Sequence, residues 1–222
     1  MEETPVADHF TEFALPDTDL ARKAHALAFE IETPALANHS VRGYVFARAL
    51  ADARNLVPGS DYDDEVLFLA CVLHDVGLTE RGNGNQRFEV DGADLAADFL
   101  REQGLNEARA RLVWEAIALH TSLGIADRMR AETALAHAGI GVDVTGPGSA
   151  RLPEGLAERT HRALPRLEPG CGLAEAIVAQ ISRNPAKAPF GSLPYEIARQ
   201  TGADAPLVRW EDLVGRAWPG VA

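Results

Sequence analysis

Hydrophobic residues recur along this chain at the three- and four-residue spacing of α-helices, in segments rich in Ala, Leu and Glu from about Thr18 to Ala163. Alternating Val, Ile and Thr runs bounded by hairpin turns, which indicate strands, are missing from the sequence. The pattern predicts an all-α protein. The predicted helices cover about 18–31, 34–53, 61–74, 89–103, 106–121, 130–142, 153–163 and 173–183, the last two being weaker.

Helix-start signals support several of these segments. Asp17 or Thr18 can cap the first helix, and Thr33 followed by Pro34 is an N-cap with proline at the first helical position. The third segment is almost wholly apolar from Val66 to Leu73. A helix without a polar face is buried on all sides, so we expect this one at the centre of the molecule.

The length of the chain suits one domain that buries a substantial core. We interpret residues 1–222 as a single domain, with a helical core at about 18–163 and a C-terminal helical segment and proline-rich tail at about 170–222. The tail from Asn184 onward is expected to pack over the core or to cover the functional site, and a contact with a partner is the alternative.

Composition narrows the classes of function. The 33 acidic and 21 basic side chains give a net charge of -12, which repels a phosphate backbone, so a nucleic-acid partner is not expected. No apolar run approaches the roughly 18 residues of a membrane span, and the N-terminus lacks the features of a signal peptide. A cytoplasmic location is the resulting expectation. Cys71 and Cys171 form no C-x-x-C unit, and Cys71 is expected in the core.

The dipeptide His74-Asp75 is the most informative chemical feature, because it stands where the apolar helix ends. Burying an unpaired carboxylate is costly, so a compensating group is required. A divalent metal would serve, since imidazole nitrogen and carboxylate oxygen are both suitable ligands. A His-Asp pair bonded to the backbone or to an arginine is the structural alternative, and the dipeptide alone does not decide between them.

Two further residues favour the metal. His39 lies on the preceding predicted helix, and Asp143 lies in apolar company between Val142 and Val144 at the end of a later one. The order His, His-Asp, Asp resembles that of the HD superfamily of metal-dependent hydrolases. This resemblance implies a compact multi-helix bundle, with His39, His74, Asp75 and Asp143 binding one divalent metal among the central helices.

Within that superfamily the chain is most similar to the cyanamide hydratase group, over about residues 38–144. The resemblance rests on four blocks in order. They are His39–Arg42, Leu73–Thr79, Arg87–Ala93 and Ile117–Ser122. The four blocks in this order are much more specific than the His, His-Asp, Asp pattern alone.

Two departures from other relatives refine the expectation. Many phosphohydrolases of the superfamily carry a lysine shortly after the His-Asp pair, where Leu78 stands here, so a phosphate substrate is disfavoured. Relatives with two metal ions place a further histidine ahead of the Gly-Ala step, where this chain has Phe88 and Glu89. One metal per chain follows. Zinc is the first choice, and iron or manganese would suit the same ligands.

His120 ends an apolar run, and its block contributes to the active site in the related pattern, so we assign it proton transfer; a helix-end histidine bound to a carbonyl is the alternative. Arg42 lies three residues after His39 and can hold a ligand carboxylate or a substrate group, or make a structural ion pair. His137 is six positions before Asp143, on a different helix face, which favours packing. His9, His25 and His161 lie outside the matching blocks.

A polar group next to Phe88 completes the candidate site. Thr79, Arg87, Glu89 and Asp91 could line a substrate pocket, although the two carboxylates are also favourable in a first helical turn without any function.

The expected function is that of a metal-dependent hydratase or hydrolase acting on a small nitrile-like molecule. In this scheme a metal-bound hydroxide attacks the electrophilic carbon, with Asp75 and His120 as the catalytic residues. The resemblance implies cyanamide to urea as the model reaction. An HD-type phosphohydrolase of a nucleotide or phosphomonoester is the alternative, and homo-oligomerisation is left open.

Overall fold

The computed structural model describes residues 9–203 and 206–217, and within these ranges it contains α-helices and 3-10 helices but no β-strand. The all-α prediction is therefore confirmed. The α-helices are α1 His9–Glu12, α2 Asp19–Ile31, α3 Pro34–Ala53, α4 Asp64–Val72, α5 Phe88–Glu102, α6 Glu107–Leu119, α7 Ala131–Thr145, α8 Leu156–Ala163, α9 Leu173–Arg183, α10 Leu193–Thr201 and α11 Trp210–Ala217. The 3-10 helices are Val76–Leu78, Ala126–Arg128, Ser149–Arg151, Pro169–Gly172 and Pro185–Lys187.

Local capping chemistry explains where the helices begin. The hydroxyls of Thr18 and Thr33 accept hydrogen bonds from backbone N–H groups three residues ahead, as the sequence indicated, and Pro34 opens α3. Asp63 and Asn106 do the same for α4 and α6, at 3.1 and 3.0 Å. Each cap satisfies a donor that the first helical turn leaves without a partner.

The boundaries differ from the prediction mainly in the second half of the chain. Helix α7 continues to Thr145, so Asp143 lies inside it and not at its end. Helices α10 and α11 lie in the tail, where no helix was predicted. The start of α10 is made by Ser192, whose hydroxyl accepts from the backbone N–H of Tyr195, and Pro194 is tolerated because it occupies the first turn.

Helix α4 is the centre of the molecule, as its apolar sequence predicted. Every side chain from Val66 to Leu73 is at most 1% exposed, Cys71 included. Helices α2, α3, α6 and α7 pack around it. This burial on all sides puts the end of α4, and therefore His74 and Asp75, inside the protein.

Helices α3 and α7 cross closely and antiparallel, at Gly43 and Gly139. A Cβ on Gly139 would lie 2.2 Å from the carbonyl oxygen of Gly43, so only glycine allows this approach. His39 is four residues before Gly43, and Asp143 is four residues after Gly139. One helical turn from an antiparallel crossing, these two side chains necessarily meet.

A second close approach holds the segment after Asp75 against α5. A Cβ on Gly77 would lie 2.0 Å from the carbonyl oxygen of Phe88 and 2.7 Å from the amide nitrogen of Gly92. The glycines of two of the sequence blocks are therefore packing residues. They let α5 lie directly beside the turn that carries the His-Asp pair.

The C-terminal segment packs on the face of the bundle next to this turn. Its own small core contains Ile177, Ile181, Tyr195 and Ala198 together with Phe88 of α5. Two buried polar contacts attach it. The side chain of Gln180 donates to the carbonyl oxygen of Gly77 at 2.8 Å, and the Lys187 ammonium lies 2.6 Å from the Asp91 carboxylate. Among the described helices, none is long and apolar enough to cross a membrane.

Candidate metal centre

His74 and Asp75 lie in the turn between α4 and the 3-10 helix Val76–Leu78, and each is 1% exposed. The Nδ1 of His74 lies 2.7 Å from the carbonyl oxygen of Cys71. A carbonyl only accepts, so Nδ1 carries a proton, and in the neutral imidazole the lone pair is on Nε2. This Nε2 lies 3.1 Å from Oδ2 of Asp75.

His39 presents its two ring nitrogens to two different carboxylates. Its Nδ1 donates to Oδ2 of Asp143 at 2.6 Å. Its Nε2 lies 3.9 Å from Oδ2 of Asp75 and has no hydrogen-bond partner. Asp143 therefore fixes the tautomer of His39, and the free lone pair is directed to the His74-Asp75 side.

His120 is oriented in the same way from the end of α6. Its Nδ1 donates to the carbonyl oxygen of Ile117 at 2.7 Å, and its Nε2 lies 4.0 Å from Oδ1 of Asp75. The imidazole of His74 stands between those of His39 and His120, with ring centroids 5.0 and 4.8 Å away. Three imidazoles thus turn their Nε2 atoms toward one carboxylate.

The donor set fits a divalent cation. Both carboxylate oxygens of Asp75 and the Nε2 of His39 are buried without a hydrogen-bond partner. Lone pairs and carboxylate oxygens that face each other in a buried space repel, unless a cation or a proton lies between them. His39, His74 and Asp75 can offer ligand atoms that all lie within 4.8 Å of one another.

The pKa values show the coupling between His74 and Asp75. Burial lowers the pKa of His74, but the adjacent Asp75 carboxylate outweighs that effect and raises it. Burial raises the pKa of Asp75, but the adjacent His74 outweighs that effect and holds it at about 2. Burial lowers the pKa of His120 to about 4, and the neighbouring His74 adds to the effect. At neutral pH the Asp75 carboxylate is therefore ionised and the His120 imidazole is uncharged.

The structure does not bring Asp143 into the group around Asp75. Its carboxylate lies on the Nδ1 side of His39, and it accepts two hydrogen bonds from the Arg42 guanidinium, each 2.7 Å long. Cys171 is close as well, with its sulfur 3.9 Å from Oδ2 of Asp143. Burial opposes ionisation of Asp143, yet His39 and Arg42 hold its pKa below the usual range. In this arrangement Asp143 orients His39, in the manner of the carboxylate–histidine pairs that surround many metal sites. His39, Asp143 and Cys171 also offer atoms close enough to hold a metal ion, so Asp143 as a ligand stays a prediction.

Comparison with known proteins identifies the fold around this centre. The model of the HD domain family matches residues 36–160, more than half of the chain. The chain belongs to the HD domain family. HD domains bind divalent metals, and the candidate metal-binding group of His39, His74 and Asp75 lies within the matched residues.

Two relatives agree with the similarity noted in the sequence. The chain is 33% identical over 111 residues to "Cyanamide hydratase DDI2" and to "Cyanamide hydratase DDI3", both from Saccharomyces cerevisiae. The match covers 49% of this chain and 48% of each yeast protein, so the chain spans about half the length of the relatives it matches.

A cavity of about 400 Å³ lies over the Nε2 side of the centre in this HD protein. Its polar inner wall includes His39, His74, Asp75 and His120. His137 also lines it, although packing was the expectation for this residue, and its Nδ1 donates to the carbonyl oxygen of His120 at 2.6 Å. The remaining wall is largely aliphatic and comes in part from residues 169–197. The C-terminal segment thus covers the site, which was one of two alternatives for it.

The four residues assigned to substrate binding do not line this cavity, so their assignment stays a prediction. The Thr79 hydroxyl donates to the carbonyl oxygen of Val76 and accepts from the backbone N–H of Gly82, so it closes a turn. Asp91 is occupied by the Lys187 ammonium, and the pair fastens the C-terminal segment. Both side chains are thus engaged within the protein.

Arg87 and Glu89 form a support behind His120. The Arg87 guanidinium holds the buried Glu89 carboxylate with bonds of 3.0 and 2.6 Å, and the Thr121 hydroxyl donates to the same carboxylate at 2.6 Å. Burial raises the pKa of Glu89, but Arg87 and His120 outweigh it and lower the pKa below its usual value. The negative charge is thus kept close to His120, with Thr121 the member of this group that reaches the cavity wall.

Sequence reasoning missed Glu32, which lies behind the centre at the end of α2. It is 7% exposed, accepts a 3.3 Å hydrogen bond from Ser40, and has a second carboxylate oxygen without a partner. Burial and the charge of Asp75 raise its pKa well above the usual value. A glutamate just before a capping threonine gives no sign of this in sequence, since its neighbour Asp75 is 43 positions away.

Proposed function

We propose that this HD protein hydrates the carbon–nitrogen triple bond of small nitrile-like molecules, with cyanamide to urea as the model reaction. The observation that carries the proposal is the array of His39, His74, Asp75 and His120 under a largely aliphatic cavity. The similarity to two yeast proteins with the printed name cyanamide hydratase supports the same reaction.

The metal is assigned to the Nε2 atoms of His39 and His74 and to the carboxylate of Asp75, because these buried atoms lack other partners or repel one another without a cation. A bound divalent ion would supply Lewis acidity and lower the pKa of a water molecule toward neutrality. Zinc suits this mixture of imidazole and carboxylate donors, as do iron and manganese. Elemental analysis of the purified protein identifies the ion and its number per chain.

His120 is assigned the proton transfer. Its Nδ1 proton is held by the Ile117 carbonyl, so Nε2 can take a proton from the attacking water and pass it to the substrate nitrogen. The ionised Glu89 behind it stabilises the imidazolium that forms transiently. Asp75 supplies the negative charge that balances part of the metal's charge, and Arg42 and Asp143 hold His39 in the required tautomer.

Phosphoester hydrolysis is the alternative reaction at the same centre, and the cavity disfavours it. Among the described residues that line the cavity, none is Lys or Arg. A phosphate would therefore meet no fixed cation apart from the metal. The apolar wall provides a poor environment for its charge.

The deciding experiment incubates the metal-loaded protein with cyanamide and, separately, with a panel of nucleotides and phosphomonoesters. Formation of urea without phosphate release is the expected result. Phosphate release without urea would refute the proposal. The His120→Gln variant then tests the assigned role. We expect it to retain its metal while kcat falls about 10²–10⁴-fold, whereas loss of the metal would make His120 a ligand.

A further inference from the structure

The size of the cavity is out of proportion to cyanamide. Cyanamide has three heavy atoms, whereas a cavity of about 400 Å³ lies in the range of roughly 300–1,000 Å³ that holds drug-sized ligands. A water molecule has a share of about 30 Å³ in the liquid. With cyanamide at the metal centre, most of this cavity would contain only water.

The wall away from the metal is built for apolar contact. Its aliphatic side chains are Leu123, Ile140, Val144, Leu173, Leu193 and Ile197. Val144, Leu173, Leu193 and Ile197 are half-buried, because each has one side against the protein and the other against the cavity. An aliphatic surface that faces water in a recess favours an apolar ligand, which removes that surface from water.

The C-terminal segment supplies half of these residues. Leu193 and Ile197 are four residues apart and lie on one face of α10, and Leu173 begins α9. These positions lie beyond residues 36–160, which match the HD family model. The family chemistry and the apolar wall therefore come from different parts of the chain.

We propose that the substrate is a nitrile, N≡C–X, whose group X carries an uncharged hydrophobic substituent that fills the space between α7, α9 and α10. An alkyl-substituted cyanamide is the model compound. One water adds to it: the oxygen bonds to the nitrile carbon, both water protons end on the terminal nitrogen, and the product is the N-alkylurea. No electron donor or acceptor is involved. This inference rests on the proposed function for its reaction, but not for its binding preference.

The first experiment tests whether activity increases with the size of the substituent. The metal-loaded protein is assayed with cyanamide and its N-methyl, N-butyl, N-hexyl and N-benzyl derivatives, and the ureas are quantified by mass spectrometry. Each methylene buried against the wall is expected to raise kcat/KM roughly fourfold until the cavity is full. Equal values along the series, or a preference for cyanamide, would overturn this inference and leave the proposed function intact.

The second experiment separates the hydrophobic subsite from the proposed hydration reaction. It uses isothermal titration calorimetry with the matching N-alkylureas, which cannot be hydrated as nitriles. Tighter binding with longer chains supports the hydrophobic subsite even if no nitrile is hydrated, a result that would refute the proposed function alone. Affinity that does not change with chain length would refute the subsite, whatever the activity.

Substitutions in α10 test whether the hydrophobic substituent binds at the proposed place. Ile197→Trp fills the cavity from α10, and we expect it to weaken N-hexylurea binding at least about tenfold more than urea binding. Leu193→Phe, one helical turn away, is the replacement variant if Ile197→Trp folds poorly. The control is Val57→Trp, which adds the same bulk at an exposed position outside the cavity and should leave the chain-length dependence unchanged. The same response in the control and in the α10 variants would place the subsite elsewhere.

Discussion

The HD region and the C-terminal segment contribute to one cavity by different physical means. In the HD region, buried polar atoms converge on Asp75, and each histidine is held by a hydrogen bond that its Nδ1 donates. In the C-terminal segment, half-buried aliphatic side chains of α9 and α10 present a largely apolar surface, with the exposed Glu175 beside them. The reactive centre and the apolar wall can therefore vary independently, because they come from different parts of the chain.

The strongest test removes the chemistry of the HD region. Asp75→Asn is expected to lose the metal and to lower activity at least about a hundredfold, because a neutral amide cannot balance a divalent charge. Elemental analysis after dialysis measures the loss. Asp98→Asn changes an exposed carboxylate on α5 and should keep its metal. Full metal occupancy in Asp75→Asn would remove the basis of the metal assignment.

The second test breaks the attachment between the two regions. Lys187→Met leaves the Asp91 carboxylate buried without its partner, so the free energy of unfolding in urea should fall by about 3–5 kcal/mol. A single unfolding transition is expected if the chain is one domain.

Arg199→Met is the matched control for Lys187→Met. It removes an exposed ion pair with Glu196 and should change stability by less than about 1 kcal/mol. An effect of Lys187→Met no larger than that of the control would mean that the buried pair does not couple the segment to the core.

The third test asks whether Asp143 binds the metal itself or only orients His39. If Asp143 orients His39, Asp143→Asn should lower metal affinity about 10–100-fold, less than Asp75→Asn does. Competition with a chelator gives both affinities. Equal losses in the two variants would establish Asp143 as a ligand, as the sequence resemblance implies.

The smallest expected effect concerns the pH dependence of stability, and it originates in α2, which packs against α4 of the HD region. Burial lowers the pKa of His25 to about 4 in the folded protein, with His9 and Arg22 contributing, whereas the ordinary value is 6.5. The unfolded chain therefore binds more protons between these values, and stability falls as the pH decreases from 6.5 toward 4.

His25→Phe should make this decrease shallower. It removes the titrating group and retains an aromatic ring against Phe29, whose centroid lies 4.3 Å from that of His25. Urea unfolding at pH 7 and pH 5 measures the difference for both proteins. An unchanged pH dependence in the variant would assign the acid sensitivity to other groups.

Several features of the fold were accessible from the sequence because they depend on local chemistry. Thr18 and Thr33 cap helices three residues ahead, and the apolar run Val66–Leu73 has no face that water could cover, so it is central. The tail was different. Helix α10 is only nine residues long and follows a proline-containing turn, so its stability depends on the packing of Tyr195 and Ala198, which no local pattern displays.

The sequence by itself determined the helical class, the HD family pattern and the identity of His39, His74, Asp75 and His120 as candidates, because residue type and spacing carry that information. Only the tertiary structure decided which nitrogen each histidine presents, and on which side of His39 the Asp143 carboxylate lies. The structure also shows that the cavity wall lacks Thr79, Arg87, Glu89 and Asp91 and includes residues of the C-terminal helices α9 and α10. Those outcomes depend on helix crossings, such as that of Gly43 with Gly139, that join residues far apart in the chain.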